Sequence, residues 1–112
     1  MGKINVGTRL KRIFMEYGYN VSGATNGMEG LKKLTDIHPS LVILDLLTPD
    51  MSGEEILKDI RAEMNVPVII LSAVQDKNTI IRMLQAGVDD YVTKPFDETV
   101  LMARVQAVLR RA

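Results

Sequence analysis

Cysteine and tryptophan are both absent from the 112 residues, and His38 is the single histidine. Without cysteine there is no disulfide framework, no cysteine-ligated zinc and no thiol chemistry. Charge of one sign is not in surplus: 14 Lys and Arg stand against 14 Asp and Glu. With no chain-wide basic field, direct nucleic-acid binding by this chain is not expected. Long hydrophobic runs are missing too, so no stretch suits a membrane span. The opening Met1-Gly2-Lys3-Ile4-Asn5 has no apolar signal core. The expectation is a soluble, cytoplasmic domain without membrane contact. What is present is a globular balance, 46% hydrophobic and 25% charged, which argues against disorder. The length suits one domain with one core, residues 1–112.

Short apolar runs alternate with helical patterns. Leu10, Ile13, Phe14 and Tyr17 recur at helical spacing, and Gly18 follows as a stop. Tyr19 to Ala24 reads as a strand containing a Gly. Asn26-Gly27 reads as a turn. Met28, Leu31, Leu34 and Ile37 mark a second helix, ended before Pro39. Leu41-Val42-Ile43-Leu44 has the length and continuity of a strand buried on both faces, and it ends in Asp45. After the loop Thr48-Pro49-Asp50-Met51-Ser52-Gly53, residues Ile56, Leu57 and Ile60 give a third helix. Val66 to Leu71 is another buried strand, ending at Ser72. Ile80, Ile81 and Leu84 mark a fourth helix with a stop at Gly87. Tyr91-Val92-Thr93 is a short strand ending at Lys94-Pro95. Asp97 is an N-cap for a last helix carrying Val100, Leu101, Val105, Val108 and Leu109.

Strands alternating with helices imply a parallel sheet with right-handed crossovers, an α/β fold in three layers. Ligands in such sheets bind beyond the carboxyl ends of the strands. Three strands end in Asp45, Ser72 and Lys94, so the topology brings them to one edge. A carboxylate there can attack phosphorus and become an acyl phosphate. An ammonium and a hydroxyl can hold the phosphoryl oxygens. Singly, each residue has a plainer meaning: a turn Asp, a turn hydroxyl, a solvated Lys. The Lys94-Pro95 bond is expected to be trans on sequence alone.

The stretch from about Leu10 to Arg111 resembles response-regulator receiver domains. The matching runs are Gly18-Tyr19-Asn20-Val21, Ala24-Thr25-Asn26-Gly27, Pro39 to Asp45, Pro49-Asp50-Met51-Ser52-Gly53, Val66 to Ala73, and Ala86 to Phe96. The resemblance implies a flavodoxin-like (CheY-like) fold with strand order 2-1-3-4-5. It implies Asp45 as phosphoacceptor, Ser72 as the hydroxyl that turns toward the phosphoryl group, Lys94 as its cation and Tyr91 as the switch aromatic. It implies magnesium on Asp45 and the Leu47 backbone carbonyl. A histidine kinase or phosphotransfer protein would be the donor, and the module would be a signalling domain rather than an enzyme. Leu101 to Arg111 resembles the last receiver helix of the winged-helix transcription factors, which dimerise through the fourth helix, fifth strand and fifth helix. Asp90, Arg104 and Arg111 suit a charged homodimer face there, whereas Ile80 and Gln85 stand where that subgroup has charges.

The family opens with a buried strand ending in an acidic pair that holds the metal, and neither is evident here. Counting back without gaps from Leu10, the pair falls at or before Met1 and Gly2. Val6 then joins the first helix, Asn5 caps it, and the first strand is missing from an N-terminally truncated domain. The Val6–Leu10–Phe14 spacing favours this version. A gapped alternative keeps Lys3-Ile4-Asn5-Val6 as a residual strand and deletes the acidic loop. Either way, magnesium binding is expected to be weak or lost. A missing central strand would also expose edges and invite re-pairing or a segment-exchanged dimer. Two kinds of function compete: a phosphoryl-switched receiver, and a phosphorylation-incompetent pseudo-receiver acting as an interaction module. A haloacid-dehalogenase-type phosphatase needs a second acid where Leu47 stands. A flavin carrier needs a Ser/Thr-rich phosphate cradle that the loops lack. His38, before Pro39, suits a surface loop.

Overall fold

A computed structural model of the chain describes residues 2–4, 8–47 and 50–112. In chain order the elements are β1 (Gly2–Ile4), α1 (Thr8–Glu16), α2 (Gly27–Ile37), β2 (Val42–Leu44), α3 (Gly53–Glu63), β3 (Val68–Ser72), α4 (Lys77–Gln85), β4 (Asp90–Thr93) and α5 (Glu98–Arg111). The four strands form one parallel sheet in the order β1-β2-β3-β4.

Side chains alternate across this sheet, and the two sides bury different helices. Val42, Leu44, Val68 and Ile70 pack with Leu34 of α2, with Ile56, Leu57 and Ile60 of α3, and with Met83 of α4. Ile43, Ile69, Leu71 and Val92 face the other way, onto Leu10, Ile13 and Phe14 of α1 and Leu101, Met102, Val105 and Val108 of α5. That is why the strands read as continuous apolar runs: both faces are covered. Burying a side chain of this size contributes about 1.5–3 kcal/mol, so the two layers together hold the strand ends in register.

Each of α2 to α5 starts on a polar cap whose side chain accepts from an amide three residues on: Asn26 from Glu29, Ser52 from Glu55, Asp76 from Thr79, Asp97 from Val100. Asn26-Gly27 is therefore the start of α2 rather than a free turn. Gly27 fits closely there: a Cβ would lie 2.8 Å from Ile56 Cδ1, so that buried side chain would have to shift. Helices α1 and α4 are followed by Gly18 and Gly87 at positive φ, and α2 by His38 at φ 51.

The expectation that the first strand is missing is corrected by β1. Gly2 lies beside Val42 and Ile4 beside Leu44, on the side of β2 away from β3. An unpaired backbone edge on β2 would be costly, and three residues suffice to satisfy it. Lys3 and Ile4 therefore belong to a strand, as the gapped alternative has them. The expected helical Val6 and its cap Asn5 lie outside the described residues. With β1 in place, the edge that suggested strand re-pairing or segment exchange is filled by the chain itself.

The expected strand at Tyr19 to Ala24 shrinks to a single bridge at Ser22. The described sheet thus lacks the family's second strand as a named element. Gly23 has no side chain to pack, which weakens an edge strand. The helix faces also differ from expectation in α4. Ile81 and Leu84 are exposed, while Met83 is buried. On α2, Met28 and Ile37 are exposed and Leu34 is buried. The Lys94–Pro95 peptide is cis rather than trans. For X–Pro bonds the intrinsic preference is small enough for the fold to decide.

Candidate functional site

Strand β2 delivers Asp45 one residue past Leu44, β3 ends on Ser72, and β4 delivers Lys94 one residue past Thr93. The pairing of Ser72 with Thr93 sets the last two side by side. Sequence reasoning brought these residues to one edge, and the structure brings them into contact. Lys94 Nζ lies 3.0 Å from Asp45 Oδ2. The other carboxylate oxygen accepts the Leu47 amide at 3.0 Å. The Asp45 side chain keeps 13% of its surface exposed, against 42% for Lys94. The carboxylate is therefore mostly buried yet reachable from solvent, with an ammonium at its side.

Ser72 is fully buried. Its carbonyl accepts the Lys94 amide at 2.9 Å, which locks the end of β3 to the residue that carries the ammonium. Its hydroxyl oxygen accepts the Val74 amide at 3.2 Å. Tyr91 donates its hydroxyl to the Val74 carbonyl at 2.6 Å. Val74 therefore joins the two expected moving parts through its own backbone. Burial pushes the Tyr91 phenol above its ordinary value. The Ser72 hydroxyl partly offsets this, and the Asp45 and Asp76 charges add to the rise.

Several contacts at this edge carried no sequence signal. Gln75 Nε2 donates to the Lys94 carbonyl at 3.1 Å. The Arg9 guanidinium sits 4.9 Å from the Phe96 ring centroid, a cation–π contact. Asp50 accepts the Gly27 amide at 2.7 Å on one oxygen and the Met28 amide at 3.0 Å on the other. These backbone donors, Met28 first, hold its carboxyl below the usual range. The loop that follows Asp45 is thereby fastened to the N-terminus of α2, where the helix dipole favours an anion. Gly53 closes the same loop: a Cβ would lie 2.5 Å from Leu46 Cα, and its amide donates to the Leu46 carbonyl. Leu47 bridges Ser52 in antiparallel fashion. Of the expected dimer face, Asp90 and Arg104 are paired within one chain at 3.2 Å.

A divalent cation does not fit this donor set. Among the described residues no three His, Cys, Asp or Glu side chains come together as ligands. The first acidic residue of the sequence is Glu16, so Asn5-Val6-Gly7, which follows β1, supplies none. The nearby carboxylates are committed elsewhere: Asp50 to the α2 amides, Glu54 to Arg82, Asp76 to Thr79. Hard cations of this kind need several oxygen ligands, and Asp45 is already held by Lys94 and the Leu47 amide.

Comparison with known proteins gives a single picture. The model described as "Response regulator receiver domain" matches residues 5–106. The transcriptional regulatory protein CseB of Streptomyces coelicolor is 45% identical over 94 residues, which are 84% of this chain and 40% of that protein. The chain thus spans about two fifths of the length of such relatives. A two-component response regulator from Clostridium difficile superposes with a TM-score of 0.93 at 28% identity, covering 98% of this chain and 94% of that one. A CheX-CheY-BeF3-Mg+2 complex from Borrelia burgdorferi superposes at 0.87 with 26% identity, covering 96% and 86%.

Proposed function

The chain belongs to the response-regulator receiver domain family, and from that premise we propose that Asp45 accepts a phosphoryl group from a histidine kinase or phosphotransfer protein. The observation that carries this reading is the 3.0 Å pairing of Lys94 Nζ with a solvent-reachable Asp45 carboxylate. One Asp45 oxygen attacks the phosphorus of a phosphohistidine. The new P–O bond forms as the P–N bond breaks, the electron pair stays on the imidazole nitrogen, and that nitrogen takes up a proton from water. Lys94 neutralises the phosphoryl oxygens as charge builds on them.

The switch follows from the contacts around Val74. The Ser72 hydroxyl oxygen accepts the Val74 amide, so a rotation of the side chain that carries the hydroxyl to a phosphoryl oxygen would release that amide. The Val74 carbonyl is the group that holds Tyr91. Phosphorylation thus biases one backbone segment and, through it, the Tyr91 side chain between β4 and α4. In this reading the output passes through α4, β4 and α5, where Ile81, Leu84 and Val100 are exposed, a face that also suits a homodimer. The module would be a cytoplasmic signalling part rather than an enzyme. Contact with nucleic acid would fall to other parts of a regulator, and no described helix is long and apolar enough to cross a membrane.

The test is intact mass spectrometry after incubation with acetyl phosphate or phosphoramidate. The expected result is the gain of one phosphoryl group, lost in Asp45→Ala. Labelling that survives in Asp45→Ala would place the acceptor elsewhere.

A further inference from the structure

The donor set around Asp45 disagrees with the magnesium chemistry that the Borrelia complex displays, and we propose that this receiver works without a divalent cation, with Lys94 supplying the neutralising charge. The inference rests on the phosphoacceptor reading and adds to it how the charge is met.

Three observations point the same way. First, β1 ends at Ile4, beside Leu44, and the sequence that follows it, Asn5-Val6-Gly7, holds no acid. In a metal-binding receiver the residues after the first strand carry the acids, and here they are Asn5 and Val6. Second, Asp50, Glu54 and Asp76 each have partners that turn them to other work. Recruiting any of them to a cation would break a helix cap or an ion pair. Third, the Asp45 carboxylate is not an open ligand. One oxygen is on the Lys94 ammonium and the other on the Leu47 amide, a monovalent arrangement already balanced at rest. A cation entering it would have to displace Lys94 for the gain of a single carboxylate, too few ligands to repay the dehydration of a hard divalent ion.

The consequence for the reaction is specific. When the phosphoryl group arrives, its charge meets the Lys94 ammonium, the Leu47 amide and the Ser72 hydroxyl, all donors of this chain. Rate and retention of the label then depend on Lys94 and are indifferent to magnesium.

The test separates this inference from the phosphoacceptor reading. Amide NMR of the unphosphorylated protein is followed through a magnesium chloride titration into the millimolar range. The expected result is no saturable shift at Asp45, Leu47 or Lys94; saturation at these amides overturns the inference whatever the labelling shows. The variant Asn5→Asp/Val6→Asp, checked for folding by circular dichroism, is expected to acquire that saturable response. A folded variant as silent as the parent overturns the assignment of the loss to these two positions. Labelling by phosphoramidate, read by mass, is expected to be equal with and without magnesium and to fall roughly a hundredfold in Lys94→Met, the usual scale for removing a charge-stabilising donor. Labelling that requires magnesium overturns the inference and leaves Asp45 as acceptor. No labelling in either condition overturns the acceptor reading, and the titration still decides the metal.

Discussion

The two ends of the sheet edge contrast sharply. On the side of β3 and β4 the residues proposed for phosphoryl chemistry come together: the buried Ser72 hydroxyl, the Lys94 ammonium on the Asp45 carboxylate, and an aromatic tied to the same backbone segment as the hydroxyl. On the side of β1 the backbone is present and the chemistry is not. Gly2–Ile4 pairs in register with β2, yet the residues that follow carry no acid. Packing and chemistry are therefore separable. A strand persists because the neighbouring strand needs its hydrogen bonds and the layer beneath needs its cover. A ligand set is held by neither requirement, so it can go while the fold stays.

If that is right, the N-terminal region must still carry full structural weight. Phe14 tests it hardest. Its ring is wholly buried, in the layer that joins α1 and α5 to the sheet, with Tyr19 edge-on at 5.8 Å between centroids. Phe14→Ala removes that ring from a region with no proposed chemistry. Urea unfolding is expected to show a loss of about 3–5 kcal/mol. Phosphoramidate labelling of the folded fraction should be unchanged. A loss under about 1 kcal/mol, the scale of a surface change, would mean that α1 is as dispensable as the acids.

Legibility in the sequence follows the same division. The alternation of β2 and β3 with α3 and α5, and the convergence of Asp45, Ser72 and Lys94, were readable because continuous apolar runs mark two-sided burial. Residues just past such runs fall at one edge. Strand β1 was legible only as the less favoured, gapped alternative at Lys3 to Val6: Gly-Lys-Ile has little strand character, and its reason for pairing lies in Val42–Leu44, far along the chain. The buried face of α4 was misread for a similar cause. Ile81 and Leu84 are the more hydrophobic residues, but the sheet takes Met83. Asp50 stands in a matching run, but its bonds to α2 sent no signal, since a carboxylate in a Pro-Asp loop looks like any turn residue until α2 is placed before it.

Asp50 is also where the two regions are joined, since it binds the site loop to α2. Its folded pKa is depressed by the Met28 and Gly27 amides, so the unfolded chain binds its proton more readily. That contribution is present above the ordinary aspartate range and is lost as pH falls through that range and below it. Asp50→Asn is expected to lower the midpoint of urea unfolding at neutral pH and to flatten the loss of stability on acidification. An acid limb as steep as that of the parent would show that the loop is not held by this carboxylate. It would break the link between the site and α2.

The smallest effect expected is at Tyr91, on the side of β3 and β4. Its phenol is raised mainly by burial, with the Asp45 and Asp76 charges adding. The raised value means that whatever Tyr91 contributes is intact below the ordinary phenol range and is lost as pH climbs through that range and above it. Tyr91→Phe keeps the ring and deletes the bond to the Val74 carbonyl. A hydrogen bond of this kind is worth about 1 kcal/mol net, so stability at neutral pH should fall by roughly that amount. The alkaline ultraviolet titration should lose the step that burial raises. The informative readout is NMR at the Val74 and Ser72 amides. If the Ser72–Val74–Tyr91 chain is one switching unit, both amides shift in the variant. A shift confined to Val74 would leave Ser72 free to turn alone, and the coupling between site and output face would then have to run through the β3–β4 register instead.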